Sequence, residues 1–512
     1  MSIPQRIGII DIGSNSIRLV IYEQNALGGC RVVTEHKQSA RLSERISADG
    51  RLPTGELDSV VELLQQFALI CSAYEVAQVR AVATAAIRNA ANSAEIAAEL
   101  TKRSGIVVEV LSGAEEGRYG FLGVINAIDV QDGFIVDIGG GSTEVTLFRG
   151  RTLLHSVSFP FGSVNTTRQH ARGGVITEQG LAAIRQMVGE AVASQPWIGS
   201  APGLPLIGLG GTIRNLGKMS QRRRKHSLPL AHNYELKAGE LDAFLKQLAA
   251  LPLDKRKKVD GLSKDRADLI VPGLAILQAI FAAAGAAHLI VSGSGLRDGL
   301  VRETLHPEQP VVDDVLEASI ENLLLLHHGG VAAHVRQVSR LALALFDALG
   351  PAHGLSARDR HCLRAAALLH RIGATVSYYQ YAKHTQYIIA QARIDGCTHR
   401  EIALISLIAA YKTKSRAHQN ALAYKDVLNE PGDEELIARL GTLLQLAVAL
   451  DRSETQPVRE LQAAPHAKAL ELTLQCSHPP AAELAELAGQ EKEFHKIWGR
   501  RIKCRVEVSS RP

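Results

Sequence analysis

One stretch of the chain combines carboxylates with a run of glycines. From Gly133 to Phe148 the sequence reads GFIVDIGGGSTEVTLF, so an apolar run enters Asp137 and the glycines at 139–141 are followed by Ser142 and Glu144. Glycine allows the backbone to approach a ligand closely, so that successive N–H groups point at one anion. Carboxylates beside such a cradle suit a divalent cation, and the combination is typical of phosphoryl chemistry. A tight hairpin whose glycines only relieve strain also fits the pattern.

The start of the chain repeats this pattern. Residues 9–22 align with residues 135–148 without a gap, at an offset of 126 residues. Such a repeat predicts two similar subdomains, each opening with a hairpin. Two acidic turns that face one cleft would hold a phosphate chain from both sides. The aligned pairs are Asp11 with Asp137, Gly13 with Gly139, Ser16 with Ser142, Arg18 with Glu144 and Tyr22 with Phe148.

Two later strand–glycine–helix junctions strengthen the phosphate interpretation. The predicted strand 206–209 leads into Gly210-Gly211-Thr212, and the strand 287–292 leads into Gly293-Ser294-Gly295. The free N–H groups and the dipole of a helix N-terminus favour an anion. Each junction alone is weak evidence, since such turns also occur for packing.

A capping box places a free glutamate at the start of another helix. Ser112 and Glu115 have the spacing of an N-cap and its partner, which leaves Glu116 free to point elsewhere. A carboxylate beside a phosphate cleft can deprotonate an attacking water, although from the sequence alone a solvated first-turn glutamate is the favoured interpretation. Arg88 follows a predicted strand end, where either a bidentate phosphate ligand or a surface arginine is expected.

Composition describes an ordinary globular chain of several domains. Its 512 residues are 46% apolar and 21% charged, with a net charge of +5 that suits an anionic substrate. Six cysteines without a C-x-x-C pair are typical of reduced thiols, so we expect a cytoplasmic protein. The apolar stretch 271–291 is better explained by a helix and a buried strand than by stable membrane insertion. The predicted domains are 1–127, 128–306, a helical domain 307–455 and a small α/β domain 456–512.

The motifs taken together resemble a known family. They are Asp11 to Ser16 (DIGSNS), Ala83 to Arg88 (ATAAIR), Ser112 to Glu116 (SGAEE), Asp137 to Glu144 (DIGGGSTE), Gly210 to Thr212 (GGT) and Ser292 to Gly299 (SGSGLRDG). In this order they resemble the exopolyphosphatase and guanosine pentaphosphate phosphohydrolase (Ppx/GppA) family. The resemblance implies an α/β N-terminal half with the duplicated RNase H-like fold of the actin-like ATPase and sugar kinase superfamily. An all-α HD-like domain and a small α+β domain would follow.

The resemblance also implies a mechanism and a set of site residues. Water attacks a terminal phosphoryl group with the help of Mg²⁺, and a monovalent cation is a further candidate. Glu116 is the expected general base. Asp137 and Glu144 are the expected catalytic carboxylates and metal ligands, and Asp11 is the third predicted ligand. Arg18 is a candidate nucleotide contact. The expected phosphate-binding residues are Gly13, Ser14, Asn15, Arg88, Gly139, Gly140, Gly141, Ser142, Gly210, Gly211 and Thr212.

Four functions fit these features. Hydrolysis of inorganic polyphosphate comes first, and hydrolysis of the 5′ γ-phosphate of guanosine pentaphosphate (pppGpp) uses the same chemistry. An ATP-dependent kinase would need a phosphoryl acceptor and a nucleoside pocket, and no stretch of the sequence indicates either. A non-enzymatic actin-like module would have no use for Glu116. By resemblance alone we expect a homodimer formed through the helical half.

Two further features bear on partners and on the helical domain. Basic runs at 222–226 and 255–258 are either solvated loops or a track for a long polyanion, and Lys412, Lys414 and Arg416 could extend it. Without interleaved aromatic residues we do not expect nucleic acid as a partner. An HD-type metal site would draw on His334, His370 and His384. The residue after His370 is Arg371, whose guanidinium would repel a cation, so we predict a scaffold role.

Overall fold

The computed structural model describes residues 4–47, 49–327 and 332–508. The chain divides into two compact units. The first comprises Met1–Lys225 and Leu230–Val315, and the second comprises His226–Pro229 and Leu316–Pro512. The finer boundaries at residues 127, 306 and 455 stay predictions.

The first half of unit 1 is a five-stranded mixed sheet in the order β3-β2-β1-β4-β5. The strands β1 to β3 form an antiparallel meander, and β4 and β5 run parallel to β1. Because helices cover the sheet, β1 is a nearly continuous run of buried apolar residues. The elements are β1 Gln5–Ile12, β2 Ser16–Gln24, β3 Cys30–Ser39, α1 Asp58–Ala73, β4 Gln78–Ala83, α2 Ala85–Arg88, α3 Ser93–Ser104, β5 Val108–Val110 and α4 Gly113–Ile125.

The second half of unit 1 repeats this plan. Its elements are β6 Gly133–Ile138, β7 Thr143–Arg149, β8 Thr152–Phe159, α5 Ser163–His170, β9 Ala171–Arg172, β10 Val175–Ile176, α6 Glu178–Ala193, β11 Leu206–Leu209, α7 Gly210–Arg224, β12 Tyr234–Leu236, α8 Ala238–Ala249, α9 Leu253–Arg256, α10 Ile270–Ala283, β13 Leu289–Val291 and α11 Leu296–Leu305. The sheet order β8-β7-β6-β11-β13 matches the first sheet strand for strand, and β12 is added at one edge. The predicted duplicated α/β architecture is confirmed. The stretch 271–291 is a helix followed by a buried strand, as predicted.

The helix α4 lies in the apolar core shared by the two sheets. Ile9 and Val20 of the first sheet and Ile135 and Ile207 of the second pack in one buried cluster with Phe121 of α4. The helix that carries Glu116 is therefore fixed relative to both hairpins.

Unit 2 is helical with a small terminal sheet. The three strands at its end lie in the order β14-β15-β16, with β15 and β16 parallel. The predicted helical stretch and the α/β tail are both present. The elements are α12 Val315–Leu326, α13 Ala332–Leu349, α14 Ala357–Leu369, α15 Tyr381–Gln391, α16 His399–Ala409, α17 Lys414–Ala421, α18 Asp433–Ala449, β14 Val458–Pro465, β15 Ala469–Cys476, α19 Ala481–Trp498 and β16 Arg501–Val508.

Candidate active site

The two hairpin turns have the same geometry. Asp11 pairs with Arg18 across the first hairpin, and Asp137 pairs with Glu144 across the second. The backbone N–H of Gly13 donates to the carbonyl of Ser16 at 3.2 Å, and the equivalent bond from Gly139 measures 3.0 Å. The repeat seen in the sequence is thus confirmed down to single hydrogen bonds.

The turns from the two halves press directly against each other. A Cβ added at Gly140 would lie 2.9 Å from the Cβ of Ser14, and one at Gly141 would lie 2.7 Å from its hydroxyl oxygen. The absence of a side chain at both positions is therefore required by the contact between the halves. Part of the glycine run serves packing, and part of it faces the space between the turns.

That space is a cleft lined by both turns and by both strand–glycine–helix junctions. Asp11, Asp137 and Glu116 all face it, so the predicted acidic residues share one site. The lining residues are Asp11, Gly13, Ser14, Asn15, Ser16, Arg18, Thr84, Ala85, Glu116, Asp137, Ile138, Gly139, Gly140, Ser142, Leu209, Gly210, Gly211, Arg214, Arg266, Gly293, Ser294, Gly295, Leu296, Arg297 and Asp298.

Glycines in α4 set the position of Glu116. The helix begins with the predicted capping box, in which Ser112 accepts from the N–H of Glu115 and the Glu115 carboxylate accepts from the N–H of Ser112. A Cβ added at Gly113 would lie 2.5 Å from the Cβ of Ser158 on β8, and one at Gly123 would lie 2.1 Å from the carbonyl oxygen of Gly295. The helix is therefore wedged between β8 and the turn before α11. This contact directs Glu116 into the cleft, while Glu115 is occupied at the cap.

Glu116 is largely buried and paired with Arg88. Its side chain is 13% exposed, and its Oε2 lies 2.5 Å from Nη1 of Arg88. Burial, with added repulsion from Asp137 and Asp11, raises the pKa of Glu116 to about 7, and Arg88 only partly offsets this rise. A carboxylate with a pKa near neutrality can exchange a proton with water at physiological pH. The alternative of a solvated first-turn glutamate does not describe this side chain.

The other three predicted carboxylates, Asp11, Asp137 and Glu144, also have raised pKa values. Burial raises the pKa of Asp11, and burial together with the neighbouring Asp11 raises that of Asp137 to about 6. Burial and the nearby Glu116 raise the pKa of Glu144 well above its ordinary value. Crowded carboxylates of this kind favour a bound cation, which removes their mutual repulsion.

A magnesium ion fits this chemistry. No group of three or more His, Cys, Asp or Glu side chains within the described ranges is arranged to hold a metal. Mg²⁺, however, is commonly bound by one or two carboxylates, water and substrate phosphates. Asp11 and Asp137 offer that pair, and the buried Oδ1 of Asn15 has no hydrogen-bond partner.

Four of the predicted site residues lie behind the cleft surface. Glu144 is 3% exposed, with Oε1 accepting from Ser158 and Oε2 making no hydrogen bond. Arg88 donates to Glu116, to the carbonyl of Leu111 and to Ser158, and its Nη2 lies 3.7 Å from Glu144. The other two, Gly141 and Thr212, are also absent from the cleft lining among the described residues. In this structure Arg88 holds carboxylates in place, and its predicted contact with phosphate would require it to leave Glu116.

Three arginines that the sequence analysis did not single out line the cleft. Burial lowers the pKa of Arg214 and of Arg266, and within the described residues neither side chain makes a hydrogen bond or ion pair. Arg297 lies 3.9 Å from Glu35, which also pairs with Arg18. The sequence signal for Arg214 and Arg297 was their place within the first five residues of a helix that follows a glycine junction. Arg266 has no such local signal.

The basic runs are less open than the charge pattern suggested. Arg256 is fully buried, and its guanidinium donates to the carbonyls of Leu248, Leu251, Gly174 and Ala267. Its assignment to a polyanion track or a solvated loop was wrong, because a buried arginine can be satisfied by backbone carbonyls alone.

A second basic run also has internal partners. Arg223 stacks on Phe244 with its guanidinium carbon 3.7 Å from the ring centroid, and Arg224 pairs with Glu240 at 2.6 Å. The remaining members of the track stay predictions.

Two of the three histidines considered for a metal site, His334 and His370, have hydrogen-bond partners within the protein. His334 pairs with Asp451 at 2.8 Å, and its ring lies 5.4 Å from that of His370. Burial lowers the pKa of His370 to about 3. Arg371 is paired with Glu454, so a cationic side chain stands beside these rings. The scaffold role predicted for this region stays a prediction.

The state of the cysteines and the length of the helices can be read directly from the structure. All six cysteines are free thiols. No helix in the described part of the chain is long and apolar enough to cross a lipid bilayer.

Comparison with known proteins gives consistent matches. Residues 20–308 match the model of the Ppx/GppA phosphatase family, and residues 315–488 match the model of its domain III. The fold is similar to that of the Ppx/GppA family member from Aquifex aeolicus, with 28% identity, a TM-score of 0.52 and coverage of 60% of this chain and 99% of that one. It is also similar to an exopolyphosphatase from Cytophaga hutchinsonii, with 24% identity, a TM-score of 0.56 and coverage of 60% and 100%.

Proposed function

Since the chain belongs to the Ppx/GppA phosphatase family, we propose that it removes the terminal phosphate from inorganic polyphosphate by direct hydrolysis. The observation that carries this proposal is the position of Glu116, whose pKa is near 7, in the cleft formed by the turns of Asp11 and Asp137. A base, a pair of carboxylates and two amide-rich turns are the parts that phosphoryl transfer to water needs.

In this proposal, one set of groups binds the substrate and another side chain accepts the proton. The amides of the hairpin turns and the guanidinium groups of Arg214, Arg266 and Arg297 bind and orient the phosphate chain. Glu116 accepts the proton of the attacking water. Arg88 holds Glu116 before substrate arrives, and it would contact the terminal phosphoryl group only after releasing Glu116.

Asp11 and Asp137 are the residues we propose as magnesium ligands, with Glu144 supporting them from beneath the cleft surface. When bound, Mg²⁺ supplies positive charge to the phosphoryl oxygens. The role of Asp11 and Asp137 is to offer two negative charges to the ion, in a place where burial alone favours their protonated forms.

The composition of the cleft lining is our reason for favouring polyphosphate over a nucleotide as the substrate. Among the described residues that line the cleft, cations and backbone amides are plentiful and no side chain is aromatic, so no ring is available to stack on a base. Arg18, the predicted nucleotide contact, is paired with Glu35 at 3.1 Å. A substrate made only of phosphates requires no base pocket.

Phosphate release measured in parallel on long-chain polyphosphate, pppGpp and ATP tests the proposal. We expect the highest kcat/KM on polyphosphate, and loss of activity when EDTA removes divalent cations. A higher kcat/KM on pppGpp than on polyphosphate would favour the second candidate activity, hydrolysis of pppGpp. Phosphate transfer from ATP to an acceptor, without release of phosphate to water, would contradict hydrolysis altogether.

A further inference from the structure

A short segment delivers Arg266 to the cleft. We call residues 263–268 the Arg266 segment. Its central residues, Lys264–Arg266, form a single 3-10 turn. An added Cβ at Gly211 would lie 2.4 Å from the guanidinium carbon of Arg266, so this guanidinium lies flat against the start of α7. The side chain reaches the phosphate site only while the segment keeps its place.

The second half of unit 1 holds the segment at two points. Asn215 accepts from the N–H of Ser263 at 2.8 Å, and the buried Arg256 donates to the carbonyl of Ala267 at 3.0 Å. Both partners belong to the same half as the segment, so these bonds alone do not relate Arg266 to the first half.

The first half holds the segment through the two residues that flank Arg266. Lys37 on β3 pairs with Asp265 at 3.0 Å, and Arg41 pairs with Asp268 at 3.0 Å. The backbone N–H of Arg41 also donates to the carbonyl of Asn15, which lies in the first hairpin turn. Arg41 thus connects the turn of one half with the arginine supplied by the other.

From these contacts we propose that Lys37 and Arg41 are positioning residues, which place Arg266 on the substrate by pairing with Asp265 and Asp268. The inference rests on the proposed function insofar as the cleft binds phosphate. It adds that Arg266 is in place to bind phosphate only when these ion pairs join the two halves of unit 1. Breaking the pairs frees the segment and weakens binding of the chain, while Glu116 and its surroundings are left intact.

Paired variants separate this role from a change in net charge. The first double variant is Lys37→Gln with Arg41→Gln, which keeps the N–H that donates to Asn15. The second is Asp265→Asn with Asp268→Asn. The control double variant, Arg51→Gln with Arg103→Gln, also removes two positive charges. It breaks exposed pairs that lie within the first half, with Glu95 and with Asp58.

Two readouts are taken on each protein. Hydrogen exchange of the Arg266 segment is measured without substrate and needs no activity. Steady-state phosphate release from polyphosphate gives KM and kcat. Because exposed or half-exposed ion pairs contribute little each, we expect about a three- to tenfold rise in KM and in segment exchange for both test doubles, with kcat changed less than about twofold. The quadruple variant is expected to match the larger double, since each pair is lost only once.

The outcomes distinguish this proposal from the proposed function. If the wild-type protein releases no phosphate from polyphosphate, the proposed function fails, and segment exchange still decides the positioning role. Exchange equal to that of the control double would overturn the positioning role whatever the activity. A KM that rises in the lysine–arginine double but falls in the aspartate double would assign the effect to net charge and would also overturn it.

Discussion

Replacement of Glu116 by glutamine tests the central residue of the site. The change removes the base and keeps the shape of the side chain, so the variant should fold and bind substrate while losing most of its turnover. A positioned general base typically contributes about 10²–10⁴-fold to the rate, and we expect kcat to fall within that range. The acid limb of the wild-type pH–rate profile is expected near pH 7, because burial raises the pKa of Glu116 to about 7 and only the ionised form accepts a proton.

The same substitution should stabilise the protein at alkaline pH. The native state binds the proton of Glu116 more tightly than the unfolded chain does, since its pKa is about 7 against an ordinary 4.5. Stability from this group is therefore fully present below about pH 4.5 and is lost as the pH rises through about 7. The difference corresponds to about 3 kcal/mol as an upper bound. Glutamine does not ionise, so Glu116→Gln should raise the free energy of unfolding at pH 8 by up to that amount.

The neighbouring Glu115 supplies a matched control. Glu115→Gln makes the same chemical change in the same helical turn, but that side chain serves the N-cap of α4. We expect near wild-type kcat and a slight loss of stability, about 0.5 kcal/mol, from the weakened interaction with the helix dipole. Phosphate release and chemical denaturation at pH 8 measure both variants. Wild-type turnover in Glu116→Gln, or an equal loss in Glu115→Gln, would refute the assignment of the base.

Three further predictions concern the groups around this residue. In Arg88→Gln the pKa of Glu116 should rise, because Arg88 lowers it, and the acid limb of kcat/KM should move to higher pH; an unmoved limb would contradict their pairing. Gly211→Ala should raise KM about three- to tenfold at unchanged melting temperature, because the new methyl group meets the guanidinium of Arg266 while the helical position accepts alanine. Asp137→Asn should weaken Mn²⁺ binding, measured by electron paramagnetic resonance without substrate, by at least about tenfold, and unchanged binding would remove Asp137 from the metal site.

The repeat in the sequence was sufficient to predict the central part of the site. The offset between Asp11 and Asp137 predicted two equivalent hairpins, and the structure gives them the same register. The capping box predicted that Glu115 would serve the N-cap of α4 and that the adjacent Glu116 would point elsewhere. These predictions succeeded because hairpins and helix caps are determined by neighbouring residues.

Long-range contacts account for what the sequence did not predict. Arg266 reaches the cleft from a turn whose position depends on partners in both halves. Arg256 stands in a run of charges, yet it is buried because the carbonyls that satisfy it come from distant residues. Glu144 matches the family pattern but lies beneath the cleft surface, since the packing of α4 on β8 covers it. Contacts of this kind cannot be predicted from a local sequence pattern.

The two repeated hairpins differ in charge at one equivalent position. At the position across from the aspartate, the first hairpin carries Arg18 and the second carries Glu144. Arg18 pairs with Glu35 and lies near Arg297 and Arg214. Burial and the nearby Glu116 raise the pKa of Glu144 well above its ordinary value, so this carboxyl favours its neutral form. The first turn therefore contributes a cation at this position, and the second contributes a buried carboxyl that carries little negative charge. A change of residue at one repeated position thus gives different electrostatics to two turns whose backbones share the same register.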